Sequence, residues 1–192
     1  MKKRTKRRLR RWGIGAVITV LLLSVIAVWV LRGVYPMPPE YRDTVTAAAE
    51  KHGVAPSLIW AVIHTESGFS PDARSSAGAV GLMQVTAPTM EWVMMRDGIE
   101  EVPAASALTD GHFNIEIGTS VLRLLGERFA VQDTVLAAYN AGMGNVQTWL
   151  ADPSYSADGE TLTVIPFKET AQYVKRVRRA QTIYKLLYGV RE

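Results

Sequence analysis

The 192-residue chain is long enough for one compact domain with an appendage and too short for two ordinary domains. Its hydrophobic content of 48% is typical of a globular protein, and the absence of cysteine excludes disulfides and thiolate metal sites. The net charge of +4 is unevenly distributed along the chain. Residues 1–12 contain eight basic residues and no acidic one, whereas the rest contains 14 basic and 18 acidic residues.

Residues 13–31 form an uncharged apolar run directly after this basic tail. As a helix, the run reaches about 28 Å, close to the roughly 30 Å hydrocarbon core of a bilayer. Trp12 and Trp29 lie near its ends, where indole rings favour the membrane interface. The run therefore predicts a transmembrane anchor, although a cleaved signal peptide, whose apolar region is usually about 7–15 residues, is the alternative.

The basic residues 1–12 predict the orientation of this anchor, because bases flanking a span stay in the cytoplasm. We expect a single-pass protein of the cell membrane, with a linker at 32–40 and a domain at 41–192 on the outer, periplasmic or wall-facing side. A basic tail can also bind nucleic acid. This tail adjoins an apolar span and lacks an aromatic stacking pattern, so no nucleic-acid partner is expected.

Helical patterning dominates residues 41–192, and the expected domain is all-α, packed around one core. The predicted helices, in chain order, are Tyr41–His52, Ser57–Glu66, Thr89–Met95, Asp110–Phe129, Asp133–Tyr139, Gly144–Leu150 and Lys168–Tyr188. Pro71–Gly81 is rich in Gly, Ser and Ala and predicts a loop. Thr161–Ile165 has the composition of a short strand, but no partner segment accompanies it.

Glu66 follows an apolar helix and precedes a glycine turn. A carboxylate at the buried end of a helix loses hydration, which raises its pKa toward the range that a general acid requires. Taken alone, this position is weak evidence for a catalytic role, because a Glu at a helix end is usually a solvated surface residue.

Four motifs in a fixed order add to this interpretation. They are Glu66-Ser67, residues 71–84 (PDARSSAGAVGLMQ), residues 138–142 (AYNAG) and residues 169–174 (ETAQYV). Together they resemble the soluble lytic transglycosylase family, the goose-lysozyme-like enzymes that cleave the glycan strands of bacterial peptidoglycan. The resemblance covers about Tyr41 to Tyr188 and implies a lysozyme-like fold for the domain.

The resemblance also implies a role for each matching residue. Glu66 would be the catalytic acid/base, and Ser75 would lie close to its carboxylate. The amide of Gln84 would contact the sugar, the hydroxyl of Tyr139 would point toward the glutamate, and Asn140 would shape its turn.

Two further matching residues, Glu169 and Tyr173, share one face at the start of the last helix and complete the predicted substrate-binding set. Several of these side chains also have purely structural interpretations. Ser75 is suited to cap a turn, Gln84 and Tyr139 to be satisfied polar groups near the core, and Glu169 to favour a helix N-terminus.

The chemistry that the resemblance implies needs one carboxylate, because the substrate's N-acetyl group can supply the second group. Glu66 would protonate the oxygen of the β-1,4 bond between N-acetylmuramic acid and N-acetylglucosamine. It would then take a proton from the muramic C6 hydroxyl, leaving a 1,6-anhydro end.

Two other functions stay open at this stage. One is a hydrolytic muramidase that uses a second carboxylate such as Asp72 or Glu169. The other is an inactive, membrane-tethered protein that binds the wall. The three scattered histidines lack metal-ligand spacing, so neither a metal nor another cofactor is expected. Peptidoglycan and the membrane are the expected partners, and the sequence does not identify which proteins the chain binds.

Overall fold

The computed structural model describes residues 2–101 and 103–190, without the side chains of residues 2–11. It divides into two units, Met1–Pro36 and Met37–Glu192. The N-terminal unit is the helix α1 (Lys2–Val34). Its segment Ile14–Val34 is long and apolar enough to cross a membrane.

The hydroxyls inside α1 are satisfied by the helix itself. Thr19 Oγ1 donates to the carbonyl of Gly15 at 3.0 Å, and Ser24 Oγ donates to the carbonyl of Val20 at 2.8 Å. Such back-bonding removes most of the cost of placing a hydroxyl in an apolar environment. The helix continues past residue 31 to Val34, so the first residues of the predicted linker at 32–40 are helical.

The second unit is all-α in its described part, as predicted. Its α-helices are α2 (Arg42–His52), α3 (Pro56–Glu66), α4 (Ala87–Arg96), α5 (Gly111–Arg128), α6 (Gln132–Ala141), α7 (Met143–Leu150) and α8 (Lys168–Tyr188). Short 3-10 turns precede α2 at Pro39–Tyr41 and α5 at Ala105–Thr109. The predicted domain end at residue 192 lies outside the described residues.

The centre of this unit is α3, whose residues from Ser57 to Ile63 are all buried. A helix that is apolar on every side is stable only when other elements cover it. The long helix α8 packs along α3 and also against α6. Trp60 and Tyr184 are buried where α3 and α8 meet, with ring centroids 6.5 Å apart.

The helix ends follow local capping chemistry. Asp110, predicted as the first residue of α5, is its N-cap and accepts hydrogen bonds from the backbone N–H groups of His112 and Phe113. Thr86 caps α4 in the same way, which moves the start of that helix before the predicted Thr89. The end of α8 matches the prediction because Gly189 adopts the left-handed conformation of a C-cap.

Residues 161–165 do not form a strand. The backbone N–H groups of Thr163 and Val164 instead donate to the carbonyl of Tyr155, within the loop between α7 and α8. A strand-like composition does not produce a strand when no neighbouring segment is available to pair with it.

Candidate active site

Glu66 is the last residue of α3. The chain reverses immediately after it, through left-handed backbone at Gly68 (φ 57°) and Phe69 (φ 72°). This conformation is unfavourable for a phenylalanine. The Phe69 ring packs against Trp60 and His64, with centroids 6.0 and 6.1 Å apart, and these contacts help to hold the reversal. The tight turn keeps the carboxyl of Glu66 against the body of the domain.

The pKa of Glu66 is raised to about 7, and burial is the largest cause. The hydroxyl of Tyr173 and the charge of Arg176 oppose this effect and lower the pKa, whereas the charge of Glu169 raises it. All three of these residues lie on α8. At neutral pH the carboxyl of Glu66 therefore exists in comparable amounts as acid and as base, which suits a group that must give and take a proton.

Tyr173 is buried at 1% exposure and directs its hydroxyl toward Glu66. The hydroxyl is close enough to lower the pKa of Glu66, but among the described residues no acceptor meets the geometry of a regular hydrogen bond. Burial and the nearby carboxylate raise the pKa of Tyr173, so the phenol stays protonated. Unpartnered buried hydroxyls are uncommon in folded proteins, and the carboxyl of Glu66 is the group that this one faces.

Tyr139, on α6, is the second phenol beside Glu66, and its pKa is raised well above the ordinary value by burial and by the charge of that carboxylate. Its hydroxyl donates to the carbonyl of Met83 at 2.8 Å. Tyr139 therefore links α6 to the loop that precedes α4, next to the glutamate.

Gln84 belongs to this loop and has left-handed backbone, with a φ of 50°. Its Nε2 donates to the carbonyls of Ala73 and Gly81 at 3.1 and 2.9 Å. Both amide protons are thereby used, and no group in the described residues donates to Oε1. The side-chain oxygen is free to accept a hydrogen bond from a sugar hydroxyl or amide.

Asn114, on α5, holds the same loop through hydrogen bonds, although the sequence did not single it out. Its fully buried side chain accepts from the Met83 N–H at 2.7 Å and donates to the carbonyls of Val80 and Leu108, each at 2.9 Å. One side-chain amide thus binds the loop at two points and ties it to the 3-10 turn that precedes α5. Asn114 was missed because a single asparagine in an amphipathic helix resembles a surface residue.

Ser67 connects the glutamate to the loop and was also missed as a positioning residue. Its hydroxyl donates to the carbonyls of Leu82 and Ile63 at 2.8 and 3.2 Å and accepts from the Phe69 N–H at 3.2 Å. The end of α3 is thus tied to the Gln84 loop by the residue that follows Glu66.

The remaining predicted site residues are Ser75, Asn140 and Glu169. Ser75 is exposed, and its hydroxyl accepts from the backbone N–H of Ala79 at 3.1 Å within its own turn. Asn140 Oδ1 accepts from the hydroxyl of Thr170 at 2.8 Å, which ties the end of α6 to the start of α8. Glu169 is exposed in the first turn of α8 and acts on Glu66 through its charge.

Within residues 2–101 and 103–190, no three His, Asp or Glu side chains are grouped so that they could hold a metal ion. The candidate site is therefore described by one carboxyl of raised pKa, two phenols and a rigid loop that presents a side-chain amide.

Known proteins resemble this domain in sequence and in fold. Residues 43–161 match the family model described as the transglycosylase SLT domain. The chain belongs to this family. The SLT match begins in α2 and ends in the loop after α7, so it includes Glu66, the Gln84 loop and Tyr139.

Two curated relatives of this SLT domain illustrate its context. The chain is 32% identical over 157 residues to the soluble lytic murein transglycosylase of Salmonella typhimurium, covering 81% of the chain and 24% of that protein. It is 34% identical over 167 residues to the membrane-bound lytic murein transglycosylase C of Serratia proteamaculans, covering 76% of the chain and 47% of that protein. The chain therefore spans a quarter to a half of the length of these relatives.

A solved structure shares the fold of the SLT domain. It is the lytic transglycosylase Slt of Pseudomonas aeruginosa, in the form of an inactive mutant with glutamine in place of a glutamate. The match has a TM-score of 0.69 at 31% sequence identity and covers 82% of this chain and 25% of that one. The predicted lysozyme-like, all-α fold is confirmed.

Proposed function

We propose that this SLT domain is a peptidoglycan lytic transglycosylase, with Glu66 as its catalytic acid/base. The observation that carries the proposal is the carboxyl of Glu66, whose pKa is raised to about 7 beside the buried phenol of Tyr173 and the half-buried phenol of Tyr139. The names of the relatives support the same activity, and so does the inactivity of the Pseudomonas mutant that lacks one glutamate.

In the first step the protonated Glu66 donates to the glycosidic oxygen between N-acetylmuramic acid and N-acetylglucosamine. The bond from that oxygen to the muramic C1 breaks, and N-acetylglucosamine leaves with a free 4-hydroxyl. The N-acetyl carbonyl of the muramic acid stabilises C1 from the opposite face, so the enzyme needs no second carboxylate. Burial helps this step because it raises the pKa of Glu66 and so keeps a substantial fraction of the carboxyl protonated at neutral pH.

In the second step the Glu66 carboxylate accepts the proton of the muramic C6 hydroxyl. The C6 oxygen bonds to C1, the N-acetyl group is released, and a 1,6-anhydro end is formed without the consumption of water. Tyr173 is placed to hydrogen-bond the carboxylate that exists between the two steps, because its buried hydroxyl faces Glu66. Its donation would stabilise the negative charge at the moment when the acid has become the base.

The other predicted site residues would bind and orient the glycan. The free Oε1 of Gln84 would accept a hydrogen bond from the sugar, and Tyr139 would hold the Gln84 loop beside Glu66. Asn140 and Glu169 would shape the entrance where α6 meets α8. Ser75 would contribute to sugar binding through the loop whose turn its hydroxyl stabilises.

Digestion of purified peptidoglycan by the full-length protein in detergent tests the proposal, with mass spectrometry of the products. We expect anhydro-muropeptides from the wild type and none from Glu66→Gln, which conserves shape and removes the ionisable carboxyl group. Reducing ends would establish a hydrolase instead. If neither protein yields products although both show a cooperative thermal unfolding transition, the role is non-catalytic.

We further infer that the protein is a single-pass protein of the cell membrane, with residues 1–12 in the cytoplasm, 13–31 as the anchor, 32–40 as a linker and 41–192 as the outer catalytic domain. The basic charge before the apolar segment supports this orientation.

Because the chain lacks cysteine, the variants Thr5→Cys and Ala157→Cys each carry one thiol. A membrane-impermeant maleimide should label Ala157→Cys in cells with a permeable outer layer, and Thr5→Cys only after lysis. The reverse pattern would contradict the orientation.

A further inference from the structure

Three residues of α8 act on Glu66 from successive positions along one side of the helix. Glu169, Tyr173 and Arg176 are four and three residues apart, so they lie on adjoining turns of the same face. Tyr173 is buried opposite the carboxyl, whereas Glu169 and Arg176 are exposed on either side of it. Arg176 therefore presents an exposed guanidinium next to the proposed catalytic acid.

Arg176 has no carboxylate partner among the described residues, in contrast to Arg178 and Arg123. Arg178 pairs with Asp133 at 2.9 Å, and Arg123 pairs with Asp97 and Glu127. Among the described residues, no carboxylate lies within 4 Å of the Arg176 guanidinium. Its five N–H donors are thus available to an anion from outside the protein.

The position of Arg176 also opposes the first catalytic step. That step needs Glu66 protonated, and the positive charge of Arg176 lowers the pKa of Glu66. The exposed guanidinium, one turn along α8 from the buried Tyr173, is available to a group of the substrate. The planar guanidinium fork matches a carboxylate, which it can bind through two parallel hydrogen bonds.

The proposed substrate carries such carboxylates close to the cleaved bond. Peptide stems are attached to the lactyl group of muramic acid, on the sugar whose C1 is attacked, and these stems bear free carboxylates. We propose that Arg176 is a specificity-determining residue that binds a carboxylate of the peptide stem on the muramic acid being cleaved. This inference rests on the proposed function. Arg179, exposed one turn further along α8, extends the same cationic edge.

The test compares two substrates that differ in the charge of their stem carboxyl groups. Soluble, uncrosslinked glycan strands with their stems are first acetylated on their amines. Half of the sample is then treated with carbodiimide and excess methylamine, which converts the stem carboxylates to neutral amides. Anhydro products from both substrates are measured by mass spectrometry with the full-length protein in detergent at pH 5.5, where Glu66 is mainly protonated.

For the wild type we expect kcat/KM to be about fivefold to tenfold higher on the free carboxylates, as for one charge-assisted hydrogen-bonded contact. Arg176→Gln should lose this preference, through a fall on the free carboxylates and little change on the amides. Arg176→Lys should retain part of it, because it keeps the charge without the fork. Arg178→Gln, which removes one arginine from the opposite side of α8, should keep the full preference.

A wild-type protein without any preference would overturn the inference, and so would a preference that survives in Arg176→Gln. An equal loss on both substrates would also overturn it, because Arg176 would then act on Glu66 or on folding rather than on the stem. The amide substrate reports folding within the same variant. If the wild type yields no anhydro product from either substrate, the proposed function itself fails, and that result is distinct from the others.

Discussion

Replacement of Glu66 by glutamine should stabilise the domain at alkaline pH and have little effect on its stability near pH 5. Burial raises the pKa of Glu66 from 4.5 to about 7 in the folded protein. The folded state then holds a proton more tightly than the unfolded chain. The resulting stabilisation is fully present below about pH 4.5 and is lost as the pH rises through about 7.

The size of this effect follows from the two pKa values. Each unit of difference corresponds to 1.36 kcal/mol, so ionisation of Glu66 costs the folded state at most about 3 kcal/mol. Partial access of solvent to the carboxyl makes this an upper value. Glutamine cannot ionise, so the variant should lack this loss between pH 5 and pH 8.5. A changed contact with Tyr173 would add an offset that does not vary with pH over this range.

Urea unfolding of both proteins across this pH range measures the effect, with the fluorescence of the buried Trp60 and Trp149 as the signal. The difference in the free energy of unfolding, variant minus wild type, should increase by at most roughly 2 to 3 kcal/mol from pH 5 to pH 8.5, because the unfolded carboxyl is already largely ionised at pH 5. A difference that stays constant with pH would refute the raised pKa. A decrease would show that the carboxylate, not the acid, is the favoured form in the folded state.

Two further predictions concern the acid and the loop beside it. The value of kcat/KM should fall as the pH rises through about 7, because Glu66 must begin protonated. The variant Tyr173→Phe should move this fall to higher pH, because the tyrosine hydroxyl lowers the pKa of Glu66. A pH–rate profile in which the fall stays at the same pH, or moves to lower pH, would contradict that contact. Gly81→Ala should destabilise the domain by about 2 kcal/mol more than Gly78→Ala. Both glycines have a φ of 81°, but only at Gly81 would a Cβ clash with the side-chain amide of Asn114 and the carbonyl of Leu108. Equal urea midpoints for the two glycine variants would show that the loop is not held against Asn114.

The helical architecture could be predicted because its signals are local. The limits of α8 lie between a proline-aromatic pair and Gly189, and α3 is an uninterrupted apolar segment that begins after a proline. Errors of a few residues occurred where a cap was included in the helix, as at Asp110, or where the chain tightened into a 3-10 turn, as at Tyr41.

The candidate site was only partly predictable, because much of it depends on contacts between distant segments. Periodicity placed Glu66 at the end of a buried helix, which was enough to suggest its raised pKa. Nothing local indicates that Asn114 reaches back more than thirty positions to Met83. Nor does the sequence show that Arg176, in a helix with several bases, is the one whose charge acts on Glu66.

The most direct test of the central claim is cleavage of peptidoglycan in water enriched in oxygen-18. The proposed reaction closes the muramic C6 oxygen onto C1, so the wild type should release anhydro ends that contain no heavy oxygen, and Glu66→Gln should release none of these products. Reducing muramic ends that carry one heavy oxygen would show that water attacks C1. That result would replace the transglycosylase with a hydrolase and would require a second carboxylate near Glu66.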